Sequence, residues 1–165
     1  MTTFDELTLG DALKEVLNNF NRFGATCVVI GTTGLELHGA IPASCTPCDV
    51  DVLVFADSGV YEKCNEVLYR LYNEYREKSR SLKDLAGMSL TNKCFIYTTS
   101  QEVKANVWLK PISELSDYEL VTMVLDDQLV NTLTIKSMLM HKVGLHRQKD
   151  LEFIIRLINS ILIRV

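Results

Sequence analysis

Asp49 and Asp51 stand two residues apart at the start of a run rich in β-branched residues, Asp49-Val50-Asp51-Val52-Leu53-Val54-Phe55. Strand side chains two apart point to one side of a sheet, so both carboxylates project together from one edge of the fold. Two anions so close repel each other unless a cation sits between them. A divalent-metal site is therefore the chemical reading, and a capping or surface role the competing one. Upstream, the apolar run Val28-Val29-Ile30 stops at Gly31-Thr32. A glycine there lets the backbone come close to a phosphate, and Thr32 adds an N–H and a hydroxyl with little bulk. Taken alone, Gly31 reads more simply as a strand-ending turn.

Other residues bear on the same chemistry. Lys142, Arg147 and Lys149 could neutralise phosphate oxygens, or could be cations near a helix end, where the dipole favours them anyway. His38 reads as a structural residue bonded to a nearby backbone group, with a direct catalytic role as the lesser alternative. Cys45 and Cys48 form a C-x-x-C before a strand, whereas a redox pair opens a helix, and no second pair completes a zinc site. The odd count of five cysteines does not resemble a disulfide framework. Asp126-Asp127 look acidic enough for a second site, yet neighbours on an extended chain point apart, so they read as turn residues. The segment 76–90, with Arg76, Lys78, Arg80 and Lys83, reads as a solvated loop or a contact surface for an acidic acceptor.

The elements that must position these groups follow from periodicity. Leu9, Ala12, Leu13, Val16, Leu17 and Phe20 recur at helical spacing before Gly24, which predicts a helix over 9–23. Residues 26–30 are too uniformly apolar for a wet face and predict a central strand. A short helix starts at about Thr33, and the prolines Pro42 and Pro47 make 41–48 a loop. Residues 50–55 form a strand, and Asp57 or Ser58 caps a long helix with a stripe of Val60, Cys64, Val67, Leu68, Leu71, Tyr72 and Tyr75. Two hairpins follow, 93–98 with 102–109 and 121–125 with 129–133, separated by an ambiguous segment 114–120. Thr134 caps a helix through about Val143, and a last helix over 149–163 is expected to bury Leu151, Ile154, Ile155, Ile158 and Leu162. The expected fold class is α+β (mixed α/β), a mixed β-sheet flanked by helices with further helices at the C-terminus.

With 165 residues, 47% of them hydrophobic, the chain reads as one domain, 1–165, with a real core and no internal repeat. A formal charge of −4 argues against a general nucleic-acid or membrane-surface binder. The acidic, amphipathic start does not read as a signal peptide, and no apolar stretch reaches the roughly 20 residues of a spanning helix. A soluble cytoplasmic protein is expected.

Taken together, Gly31-Thr32, His38-Gly39 and Asp49-Val50-Asp51 resemble the signature of the nucleotidyltransferase superfamily with the DNA polymerase β-like core. Within it the chain is most similar to small bacterial nucleotidyltransferases of the abortive-infection toxin kind and their minimal relatives. Lys142, Arg147 and Lys149-Asp150 match a lysine near a helix end, an arginine and a Lys-Asp pair opening the last helix in that family, so the resemblance spans about Ala25 to Leu157. It implies a nucleotidyltransferase-like core and an NTP substrate held by Gly31, Thr32, Lys142, Arg147 and Lys149. It further implies Mg²⁺ (or Mn²⁺) on Asp49 and Asp51, and transfer of a nucleoside monophosphate to a hydroxyl of RNA, protein or a small molecule. A homodimer or an antitoxin partner belongs to the same picture.

Two departures bear on activity. The family's third catalytic carboxylate falls on a later strand, and the matching position here is Asn106, whose amide brings no charge and no base. Glu102, four residues earlier on the same expected face, would lie roughly 13 Å away along a strand. Relatives also carry an arginine and a threonine where this chain has Cys45 and Pro47. A catalytically impaired protein of this fold that binds nucleotide or a protein partner is thus the alternative. A structural protein that dimerises through Ile161-Leu162-Ile163 is more remote.

Overall fold

The computed structural model describes residues 3–41, 45–78, 94–144 and 147–164, with the side chains of residues 142, 160, 161, 163 and 164 left out. A helix α1 (Gly10–Asn21) leads into β1 (Thr26–Ile30), which turns directly into a short helix α2 (Gly31–Leu37). β2 (Asp49–Ala56) follows, then the long helix α3 (Ser58–Lys78), β3 (Cys94–Thr98) and β4 (Lys104–Pro111). A 3-10 turn (Ile112–Asp117) precedes the hairpin β5 (Leu120–Leu125) and β6 (Gln128–Leu133), and the helices α4 (Ile135–Gly144) and α5 (Gln148–Arg164) close the chain.

The six strands form one mixed sheet in the order β3-β4-β2-β1-β6-β5. β1 is antiparallel to β2 and parallel to β6, while β2 is parallel to β4. β1 thus lies between two strands and is apolar on both faces, as its uniform composition predicts. Val50, Val52 and Val54 of β2 join the core under α1 and α3, together with Ala105, Val107 and Leu109 of β4. The alternate residues Leu53 and Phe55 face the opposite side, where Leu35, Met138, Phe153 and Leu157 of α2, α4 and α5 pack. The period of two therefore sends Asp49 and Asp51 to the α2/α4/α5 side.

Capping chemistry sets several element ends. Asp57 Oδ1 accepts the Val60 N–H at 3.0 Å to start α3, and Thr134 Oγ1 accepts the Ser137 N–H at 3.2 Å to start α4. At the end of α2, Gly39 is left-handed (φ +68°), and the Gly39 and Ala40 N–H groups bond Glu36 O and Leu35 O. Asp126 and Asp127 (φ 49° and 64°) make the two-residue β5–β6 turn, and Asp126 Oδ2 accepts the Phe4 N–H at 3.0 Å.

Several expectations need adjusting. The helix after β1 begins at Gly31 itself, two residues before its predicted start. α3 extends through Arg76 and Lys78, so these belong to its last turn; Arg80 and Lys83 lie outside the described residues. Glu102 is not on β4 but in the turn before it, with φ 60°. The expected buried stripe of the last helix is the wrong one. α5 buries Asp150, Phe153 and Leu157, whereas Leu151, Ile155, Ile158 and Leu162 are between 43% and 66% exposed. That helix is apolar on two faces, so periodicity alone does not say which meets the sheet. The face carrying the bulkier Phe153 packs into the core beside Val28, Leu53 and Phe55.

Candidate functional site

The strand register assembles the site. Ile30 pairs with Asp51 in the β1–β2 ladder, and Asp51 pairs with Asn106 in the β2–β4 ladder. Ile30, Asp51 and Asn106 thus lie in a row across three adjacent strands, and Gly31, the first residue of α2, follows Ile30 directly. Gly31 has φ +68°, and a Cβ built on it would collide with the Asp51 carboxylate. Only glycine allows that approach without displacement.

Asp51 Oδ1 accepts a 2.7 Å hydrogen bond from Asn106 Nδ2. Asp49 stands two residues nearer the strand start, opposite Lys104, and is half-buried like Asp51. Its own carbonyl accepts from Thr33 Oγ1 at 3.1 Å, which ties the first turn of α2 to the start of β2. α2 itself sits close to the sheet because Gly34 has no side chain: a Cβ there would press on Met138 Sδ and Val29 O. His38 Nε2 bonds Leu133 O at 2.8 Å, so the histidine fastens α2 to β6 as its structural reading predicts.

These groups face an open cleft of about 1290 Å³. Gly31, Thr32, Asp49, Asp51 and Asn106 line one part of it, and Arg147 and Lys149 line another. Seven of the eight sequence-predicted site residues are therefore brought together. The eighth, Lys142, stands on α4, but its side chain lies outside the described residues. Arg147 is not a plain phosphate cation. Its guanidinium is engaged by Asp150, through Nε to Oδ2 and through Nη2 to Oδ1 at 3.2 Å, and Asp150 is almost wholly buried.

Lys136 and His141 of α4 also line the cleft, as do Tyr61, Trp108 and Tyr118. Trp108 was legible as the residue two beyond Asn106 on the same strand face. Lys136 and His141 carried no such signal, because their place depends on how the β6–α4 connection returns over the sheet. Cys94 reaches the cleft as well, but burial first and then the Asp51 charge push its thiol up to about 12. It stays a neutral thiol. Among the described residues no cluster of three His, Cys, Asp or Glu side chains forms a metal centre. Asp49 and Asp51 remain a two-carboxylate pair, whose hard oxygen donors would suit a hard divalent cation.

A crystal structure of an antigenic nucleotidyltransferase-like protein from Paracoccidioides brasiliensis superposes on this chain with a TM-score of 0.55 at 13% identity, covering 96% of this chain and 78% of the other. The fold is nucleotidyltransferase-like. No protein-family model matches the sequence, and no curated protein is significantly similar to it. Among the described residues no helix is long and apolar enough to cross a membrane.

Proposed function

We propose that the chain is a Mg²⁺-dependent nucleotidyltransferase that moves a nucleoside monophosphate from an NTP to a hydroxyl of RNA, protein or a small molecule. The observation that carries this is the approach of Gly31 to Asp51 in the lining of the cleft. It places the start of a helix directly beside the Asp51 carboxylate, with Asp49 two residues away on the same strand face. Asp49 and Asp51 would hold Mg²⁺ (or Mn²⁺), which when bound compensates the charge of the triphosphate. Gly31 and Thr32 would receive phosphate oxygens, with Lys149, Lys136 and Lys142 as the cations for the rest of the triphosphate.

The acceptor hydroxyl attacks the α-phosphorus; the new P–O bond forms as the bond to pyrophosphate breaks, and pyrophosphate leaves. The hydroxyl proton passes to solvent, since Asn106 is no base. A cleft of about 1290 Å³ exceeds the roughly 300–1,000 Å³ of a single small-molecule site, which supports room for nucleotide and acceptor side by side. The reading includes a cytoplasmic location and a toxin–antitoxin setting with an antitoxin or a second copy as partner. Labelled NTPs with Mg²⁺ or Mn²⁺ and cell extract should label an acceptor, and the label should vanish in Asp49→Ala/Asp51→Ala. Absence of transfer with every NTP rejects the activity.

Asn106 favours a second reading, a nucleotidyltransferase-fold protein that binds nucleotide or a protein partner without turnover. It requires NTP binding by calorimetry with no pyrophosphate release.

A further inference from the structure

Asn106 does more than omit a charge. An ionised carboxylate only accepts hydrogen bonds, so the 2.7 Å contact with Asp51 Oδ1 fixes the Asn106 amide with its NH₂ toward β2. Its carbonyl oxygen, on the other side of the planar amide, is thereby turned away from Asp51. A carboxylate at the same register position would face Asp51 as a second anion and call for a cation between them. With the amide there, the β2–β4 pair is satisfied by a hydrogen bond.

This has a stoichiometric consequence. Two-metal phosphoryl-transfer sites hold their ions roughly 3.5–4 Å apart, bridged by shared carboxylate oxygens. Here Asp51 Oδ1 already takes an N–H, and no third carboxylate, histidine or cysteine joins Asp49 and Asp51 among the described residues. An N–H dipole aimed into the same space opposes a second dication. Asp49 and Asp51 together carry two negative charges, which match one.

We propose that this site binds a single divalent cation with its nucleotide, and that Asn106 is the positioning residue that holds Asp51 for that ion. The proposal rests on the nucleotide-and-metal reading of the cleft. Asn106 acts on the ion through Asp51, by restricting the carboxylate to one orientation. Loss of such an outer partner typically lowers metal affinity by about 10–100-fold.

The experiment is a Mn²⁺ titration followed by electron paramagnetic resonance, with the full chain and a non-hydrolysable NTP analogue held below the protein concentration. Wild type should bind one Mn²⁺ per complex. Asn106→Ala should keep one ion with affinity lowered at least tenfold, and Asn106→Asp should bind two. The last variant has an unbalanced carboxylate pair without metal, so its melting temperature should fall below that of wild type and recover when Mn²⁺ is added. That recovery distinguishes a metal-dependent fold from simple misfolding. Two ions in wild type overturn the proposal while leaving the nucleotide reading in place. No bound ion and no bound nucleotide overturn both. Unchanged affinity in Asn106→Ala overturns the positioning role, and one ion in Asn106→Asp, or no recovery on Mn²⁺, overturns the account of why there is only one.

Discussion

The Cα of Gly31 is so close to Asp51 that a Cβ on the glycine would fall on the carboxylate. Gly31 opens α2 directly after β1 and Asp51 sits on β2, so the start of that helix and the carboxylate share one spot in space. Gly24 offers the control, since it has φ +87° but nothing within 4 Å of its Cβ position. Gly24→Ala should cost about 1 kcal/mol of stability, from backbone strain alone. Gly31→Ala adds the collision, and should lose about 2–4 kcal/mol and weaken binding of a fluorescent NTP analogue at least tenfold. Equal effects in urea denaturation would mean that the approach to Asp51 does not matter.

His38 should act on stability and not on binding. Its ring bonds Leu133 O, so His38→Ala leaves a half-buried carbonyl without that partner and loosens α2 from β6. A loss of about 1–2 kcal/mol is expected, with NTP affinity within twofold of wild type. A large fall in affinity at unchanged stability would give His38 a direct role in the site.

Much of this arrangement was legible in the residues. The unbroken apolar run of β1 pointed to its central place, and the alternation of Asp49, Asp51, Leu53 and Phe55 gave one face to the carboxylates and the second core. The turn role of Asp126-Asp127 followed from side-chain direction. What was hidden depends on distance through space. Strand register, which places Ile30, Asp51 and Asn106 in a row and so brings Gly31 to Asp51, cannot be read from any one strand. The apolar side of α5 that meets the sheet was misread because both sides are apolar, and only packing against Val28 and Leu53 selects Phe153 and Leu157. Arg147 and Asp150 were both visible at a three-residue spacing, but their pairing competes with the phosphate role and shows only when Asp150 is seen to be buried.

That pairing separates two kinds of cation at the cleft. Arg147→Ala takes away the fork that neutralises the buried Asp150 carboxylate, so it should destabilise the fold by about 1–3 kcal/mol, moderated by the exposure of the arginine. Lys149 is exposed and lines the cleft. Lys149→Ala should leave the urea midpoint within error and raise the NTP Kd about three- to tenfold, an effect that weakens at high salt. If Arg147→Ala leaves stability intact, the ion pair does not hold the start of α5.

Buried ionisable groups under α1 and α3 set a limit on alkaline stability. Burial, and then the neighbouring Cys64, push the Cys27 thiol up to about 12, and burial raises the Tyr97 hydroxyl despite a 3.5 Å bond from Asn19. Both are raised in the folded state, so the unfolded chain releases its protons first. Their contribution is fully present below the ordinary thiol value of 9.0 and is lost as pH rises from there towards 12. Each pH unit in that window should cost about 1 kcal/mol for Cys27 alone. Urea midpoints should accordingly be flat from pH 7 to 8.5 and fall from pH 9 to 10.5. Cys27→Ala should lower the midpoint at neutral pH by loss of packing yet show a shallower alkaline fall, whereas Cys48→Ala, at an exposed position, should follow wild type throughout. An undiminished slope in Cys27→Ala would assign the alkaline loss to other groups.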